Sequence, residues 1–353
     1  MSYPISKPYL ITHSLLPENQ ETPIQFITSD LINKQFFYKR NHFPYPTFSH
    51  LNFWLPVNGL VKRPILLSMQ EILQFPSKTV KAVLECSGNK RNLFKPKVYG
   101  VQWGKGAISQ GYWKGVPLRS LLERSGIKEG AKEIVIEGYD FGKRTDQDKV
   151  SGYARSLPIE KALHPDTIIA YEYNHQPIPF KHGYPLRLIV PQWYAMASVK
   201  WIKQITIIDD NFSGAFQSID YVYYPNKVNN QGAFPVTTIH VNSTIQKPLD
   251  MEILNTGMHK IRGIAWTGDG KITSVEISTD NGRSWSNAKV NFTDYKSYEW
   301  VTWSYDWEIT KKGEYTIMSK ATDSSNHVQP QIPFWNRKGY GYNAIDQIKV
   351  KVE

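Results

Sequence analysis

Val80-Lys81-Ala82-Val83-Leu84-Glu85-Cys86-Ser87-Gly88-Asn89-Lys90-Arg91 is the stretch from which the rest of the chain can be read. Its first half is apolar and β-favouring, and Ser-Gly-Asn interrupts it, which predicts a strand ending in a tight turn. The thiol stands at that break, with Lys90 and Arg91 close behind. Two cations beside a cysteine at a strand end favour the thiolate, the form needed of a nucleophile or a metal ligand. Cys86 is the one cysteine of 353 residues, which excludes an internal disulfide, a Cys-rich zinc knuckle and an all-cysteine iron–sulfur site.

Outward from this turn the texture stays mixed. Residues 1–60 are rich in proline and aromatics and predict an extended segment wrapped over a core. Leu118–Ser125 has helical spacing, with Gly126 as its stop. Residues 132–137, 167–173, 186–190 and 199–208 are short β-favouring runs, and Pro158 opens a short helix over 157–163. Strands alternating with short helices make this part α+β or α/β. From Asn226 the chain turns polar, and residues 226–248 read as a linker. Beyond it, short strands recur over 259–265, 274–278, 285–289, 300–307, 314–321 and 344–352. Turn signals such as Thr-Asp-Asn-Gly-Arg separate them, the pattern of a β-sandwich. The division expected is residues 1–230 followed by residues 231–353.

Composition narrows the function. Aromatics make up 13%, with 22 Pro and 23 Gly, which suits strands and ordered loops. No run of about 18 apolar residues exists, so no membrane-spanning helix is expected. The start, Met1-Ser2-Tyr3-Pro4, lacks a secretory signal, which points to the cytoplasm. The net charge is +11. The basic residues are scattered rather than clustered, so a small anionic substrate or an acidic partner fits better than nucleic acid.

Common motifs fail. The glycines at 104, 106 and 111 lack dinucleotide or P-loop spacing, and neither His-Glu-x-x-His nor Gly-x-Ser-x-Gly occurs. Three donor-rich clusters remain: Tyr38-Lys39-Arg40-Asn41-His42, the segment from Lys181 and His182 to Arg187, and Ser198-Val199-Lys200. With Cys86 they describe a protein gathering donors around one anionic group and one thiolate.

These segments, in this order, resemble the sulfite oxidase family of molybdenum enzymes over nearly the whole chain. Leu84 to Arg91 resembles the family's metal-ligand motif, and Phe37 to His42 its arginine–asparagine–histidine segment. Trp103 to Ser109, Trp113 to Leu118, Ala170 to Asn174, His182 to Arg187 and Ser198 to Trp201 follow. Ala265-Trp266, Ser278 to Trp285 and Trp335 to Tyr340 resemble its immunoglobulin-like dimerisation domain. The resemblance implies an α+β molybdopterin-binding domain (a sulfite oxidase-like fold), then an all-β immunoglobulin-like sandwich. It implies one molybdenum–molybdopterin per chain, with Cys86 as the metal's protein ligand. Tyr38, Lys39, Arg40, Asn41, His42, Asp140, His182, Arg187, Ser198, Val199 and Lys200 would hold the pterin and its phosphate. Arg40, Arg91, Trp103 and Lys338 would bind the anion. Tyr221 would act at an oxygen of the metal and help move protons.

The activity implied is sulfite oxidation, with an S-oxide or N-oxide reductase as the alternative. A homodimer is implied as well, together with a separate electron-transfer protein such as a cytochrome. Two departures stand out: Lys338 replaces the family's second-domain arginine, and Pro191-Gln192 replaces the Pro-Gly of many relatives.

Overall fold

The computed structural model describes residues 10–48, 53–144, 149–293 and 295–353. After a hairpin (Ile11–Leu15 with Glu18–Glu21), two five-stranded sheets build the first half. One runs Gln176–Pro177, Ile168–Tyr173, Ile108–Pro117, Lys78–Glu85, with Arg187–Ile189 also paired to Ile168–Tyr173; every pairing is antiparallel. The other runs Ile65–Ser68, Trp54–Gly59, Ile202–Ile208, Glu133–Lys143, Val150–Pro158, with one parallel pair, Ile202–Ile208 on Trp54–Gly59. Short helices cover the sheets. In Leu118–Ser125 the buried Leu118, Leu121 and Leu122 face the core, and Gly126 stops the helix at φ 69°. This is the expected α+β architecture.

The second half is the expected sandwich. A four-stranded sheet (Asn242–Lys247, Gly257–Trp266, Val301–Ile309, Lys289–Asn291) faces a five-stranded one (Glu252–Leu254, Asp346–Val352, Gly313–Asp323, Ile272–Ser278, Ser286–Asn287). Alternation in Asp346–Val352 places Asp346, Ile348, Val350 and Val352 inward and the residues between them in solvent. No helix among the described residues is long and apolar enough to cross a membrane.

Three local readings are corrected. The segment over 226–248 is not all linker, because Asn242–Lys247 is the first strand of the sandwich. Its Asn, Ser, Thr and Gln look like linker composition, yet five of the strand's six residues are buried. Two of their polar groups serve the contact between the two halves: Asn242 Oδ1 accepts from Lys90 Nζ at 2.7 Å, and Gln246 Nε2 donates to the Ile27 carbonyl. Within 157–163 the strand continues to Pro158, and the helix is one turn, Ile159–Ala162. The region 1–60 is not purely a wrapping segment, since Trp54–Gly59 enters a sheet.

Candidate active site

The Lys78–Glu85 strand delivers Cys86 into a turn that its neighbours fix. The Asn89 amide donates to the Cys86 carbonyl at 2.8 Å, and the Arg91 amide to the Gly88 carbonyl at 3.0 Å. Asn89 holds the turn from inside, donating to Glu85 Oε1 at 3.0 Å and accepting from the Ala107 amide at 3.1 Å. A Cβ at Gly88 would stand 2.7 Å from Arg91 Nη2 and would displace that guanidinium.

The sandwich supplies the rest of the support. Trp266 Nε1 donates to Glu85 Oε2 at 2.8 Å and the Gly341 amide to the Ser87 carbonyl at 2.8 Å. Arg91 Nε reaches the carbonyls of Lys338 and Gly339, each at 3.1 Å. Lys90, wholly buried in a left-handed conformation, turns away from the thiol toward Asn242 and the Ser243 carbonyl. The second cation at the cysteine is therefore Arg40, brought from another segment. Burial pushes the Cys86 thiol up, and Arg40 and Arg91 pull it down.

Two cavities meet at Cys86. The inner one is lined by Phe37 to His42, Cys86, Ser87, Asp140, Tyr153, Lys181, His182, Arg187, Ala195, Met196, Ser198, Lys200 and Tyr221. Its shape follows from packing: the His182 ring stacks on Phe37 at 4.3 Å, and Arg187 lies 5.3 Å from the Trp113 ring centre. Lys200 Nζ donates to the Arg40 carbonyl at 3.1 Å and to Asn41 Oδ1. Burial holds Asp140 up against the pull of Lys200, and burial holds Lys200 down. Several donors and acceptors here are unused. Arg187 Nε, Asp140 Oδ1 and Ser87 Oγ are buried without a hydrogen-bond partner. A buried cavity with unsatisfied guanidinium, carboxyl and hydroxyl groups fits a polar, anionic resident group such as a pterin with its phosphate.

The outer cavity shares Arg40, His42, Cys86, Ser87 and Tyr221 with the inner one and adds Arg91, Lys143, Arg144, Asp220, Arg337, Lys338 and Tyr340. Tyr221 and His42 are bonded at 2.6 Å (hydroxyl oxygen to Nε2), and Arg40 Nη2 lies 3.1 Å from the same imidazole nitrogen. Burial pushes the Tyr221 phenol well up and pulls His42 well below its ordinary range, with Arg40 adding to the latter. Asp220 bridges Arg144 Nη1 at 2.8 Å and Lys338 Nζ at 3.0 Å.

Most of the residues expected at the site come together here, and two do not. Trp103 lines neither cavity; it is fully buried, edge-on to His13 at 4.8 Å, beneath the N-terminal hairpin. Val199 is buried between two lining residues, its carbonyl accepting from the Leu188 amide at 2.8 Å. Gln192 takes φ 75°, a left-handed backbone that glycine adopts more readily. Sequence reasoning missed Arg144, Tyr153 and Ser87. Arg144 had left a signal, a paired cation beside Lys143, that nothing tied to the site.

The oxidoreductase molybdopterin binding domain family matches residues 42–216, and the Mo-co oxidoreductase dimerisation domain family matches 233–353. Mitochondrial sulfite oxidase of Mus musculus is 30% identical over 369 residues, covering 99% of this chain and 67% of that protein. Nitrate reductase (NADH) of Solanum lycopersicum is 32% identical over 374 residues, covering 95% of this chain and 40% of that protein. Among solved structures, the sulfane dehydrogenase SoxCD of Paracoccus pantotrophus superposes with a TM-score of 0.83 at 26% identity. That match covers 99% of this chain and 87% of the other. With two matching domains and a thiol between a donor-lined chamber and a cationic mouth, the chain belongs to the sulfite oxidase family of molybdopterin-dependent oxidoreductases.

Proposed function

We propose that this protein oxidises sulfite to sulfate and passes the two electrons to a separate electron-transfer protein, such as a cytochrome. The observation that carries the reading is the outer cavity, whose cations surround the opening above Cys86. We place one molybdenum–molybdopterin per chain in the inner cavity, on Tyr38 to His42, Asp140, His182, Arg187, Ser198 and Lys200, and assign Cys86 as the metal's protein ligand. Bound there, molybdenum supplies oxygen-atom transfer and two-electron redox chemistry.

The chain's own residues do the rest. Arg40 and Arg91 hold the substrate anion over Cys86, where two guanidiniums suit a tetrahedral oxyanion. Arg91 is rigid for this role because its Nε and Nη1 are already spent on carbonyls. Tyr221 stays protonated by burial, and its bond to neutral His42 gives a proton a place to rest at the cavity floor. Two chains pair through the sandwich domain, and the boundary between the domains lies at 230/231.

The test is metal analysis with steady-state assays. About one molybdenum per chain and turnover of sulfite, slowing as salt rises, support the reading. Reduction of a sulfoxide or of nitrate, with no sulfite oxidation, would replace it with a reductase. That second reading is favoured by the likeness to nitrate reductase and by Lys338, whose charge Asp220 already engages.

A further inference from the structure

Six cations line the outer cavity (Arg40, Arg91, Lys143, Arg144, Arg337 and Lys338), and Asp220 is the one acid that lines it among the described residues. Its carboxylate reaches across the mouth between the two domains. Oδ2 accepts from Arg144 of the first domain at 2.8 Å, and Oδ1 from Lys338 of the second at 3.0 Å. The side chain is 17% exposed and that of Arg144 is 5% exposed, so this is a sheltered pair rather than a solvated surface contact. It lines the outer cavity one residue before Tyr221. A substrate anion therefore meets Arg144 and Lys338 with their charge already opposed, while among the described residues no acid is paired with Arg40 or Arg91 at the floor of the same cavity.

We propose that Asp220 is the specificity-determining counter-charge of the outer cavity, opposing Arg144 and Lys338 so that the affinity for an oxyanion is set by the cations it leaves unengaged, Arg40 and Arg91 at the floor foremost. The physical consequence is a trade. Without Asp220 the two extra cations would attract any oxyanion, and most strongly the dianionic product, whose release would then limit turnover. With Asp220 in place the mouth still draws anions inward by its net positive charge but does not retain them. The identity of the anion rests on the sulfite reading; the role of Asp220 as a counter-charge does not.

Titrating inorganic sulfate into the purified holoenzyme calorimetrically tests this without turnover. Asp220→Asn should tighten sulfate by about tenfold, and Asp220→Glu, which keeps the charge, should leave it near wild type. In sulfite assays Asp220→Asn should lower KM and kcat together and strengthen inhibition by sulfate. Should that variant not fold, the charge-balanced pair Asp220→Asn with Lys338→Met removes both ends of one ion pair. The proposal predicts that the pair binds sulfate within about threefold of wild type, because the net charge of the mouth is the same as in the wild type. Unchanged or weaker sulfate binding in Asp220→Asn, or a tenfold loss in the double variant, overturns the proposal and leaves Asp220 a tie between the domains. A wild type that fails to turn over sulfite, beside an Asp220→Asn that still tightens sulfate, overturns the sulfite reading and spares this one.

Discussion

The two cavities that share Cys86 are built on opposite plans. The inner one is made by the first domain alone, and it keeps buried polar atoms without partners, Arg187 Nε and Asp140 Oδ1 among them. The outer one needs both domains, and several of its cations are engaged within the protein: Arg91 by carbonyls, Arg144 and Lys338 by Asp220. An unpaired buried donor costs about 1–3 kcal/mol, so a chamber that keeps several is shaped for a group that stays. A mouth in which some cations already have partners is shaped for an anion that comes and goes.

Removing the shared residue should have the largest effect. Cys86→Ser should fold yet lose turnover by more than about a thousandfold, because an alcohol is a poor, mostly protonated metal ligand. Sulfite assays and the metal's absorption spectrum check this; activity within tenfold of wild type would remove Cys86 from the metal. On the inner side, Arg187→Gln should cut cofactor affinity by roughly 10–100-fold, read as molybdenum content after dialysis. A variant that retains its metal but loses sulfite affinity would erase the distinction between the chambers.

Arg40 touches both cavities. Arg40→Gln should lower kcat/KM for sulfite at least tenfold, since losing a buried charge partner typically costs ~2–5 kcal/mol. A neutral sulfoxide assayed beside it should respond far less. The smallest effect belongs to Lys338→Arg. A guanidinium could bind two oxygens where the ammonium binds one, but Asp220 already engages this position, so sulfite kcat/KM should rise by less than about threefold. A tenfold rise would show that Lys338 binds substrate directly.

The two plans also differ in how far the sequence discloses them. The inner chamber is made of contiguous segments, residues 37–42, 181–187 and 198–200, whose donors cluster along the chain as they do in space. The strand into Cys86 and the helix stopped by Gly126 were legible for the same reason, since period and punctuation are local signals. The mouth pairs Arg144 with Asp220 and Lys338 across long sequence separations, and no local pattern marks such partners. Lys90 shows the limit clearly. Its place beside the thiol in sequence suggested an electrostatic role, yet its left-handed backbone sends it to the sandwich, while Arg40 arrives from a distant segment. Strand Asn242–Lys247 was hidden by its own polar side chains, of which Asn242 and Gln246 bind the other domain.

The cysteine turn is held from the sandwich at Glu85, Ser87, Lys90 and Arg91, and that has a thermodynamic consequence. If the sandwich melted alone, Lys90 would lose its two oxygen acceptors and Glu85 its indole donor, leaving charges stranded against an exposed apolar face. Partial unfolding is thereby penalised. The two domains should melt as one cooperative unit, and a ligand of the first domain should raise the melting temperature of the second as much as its own.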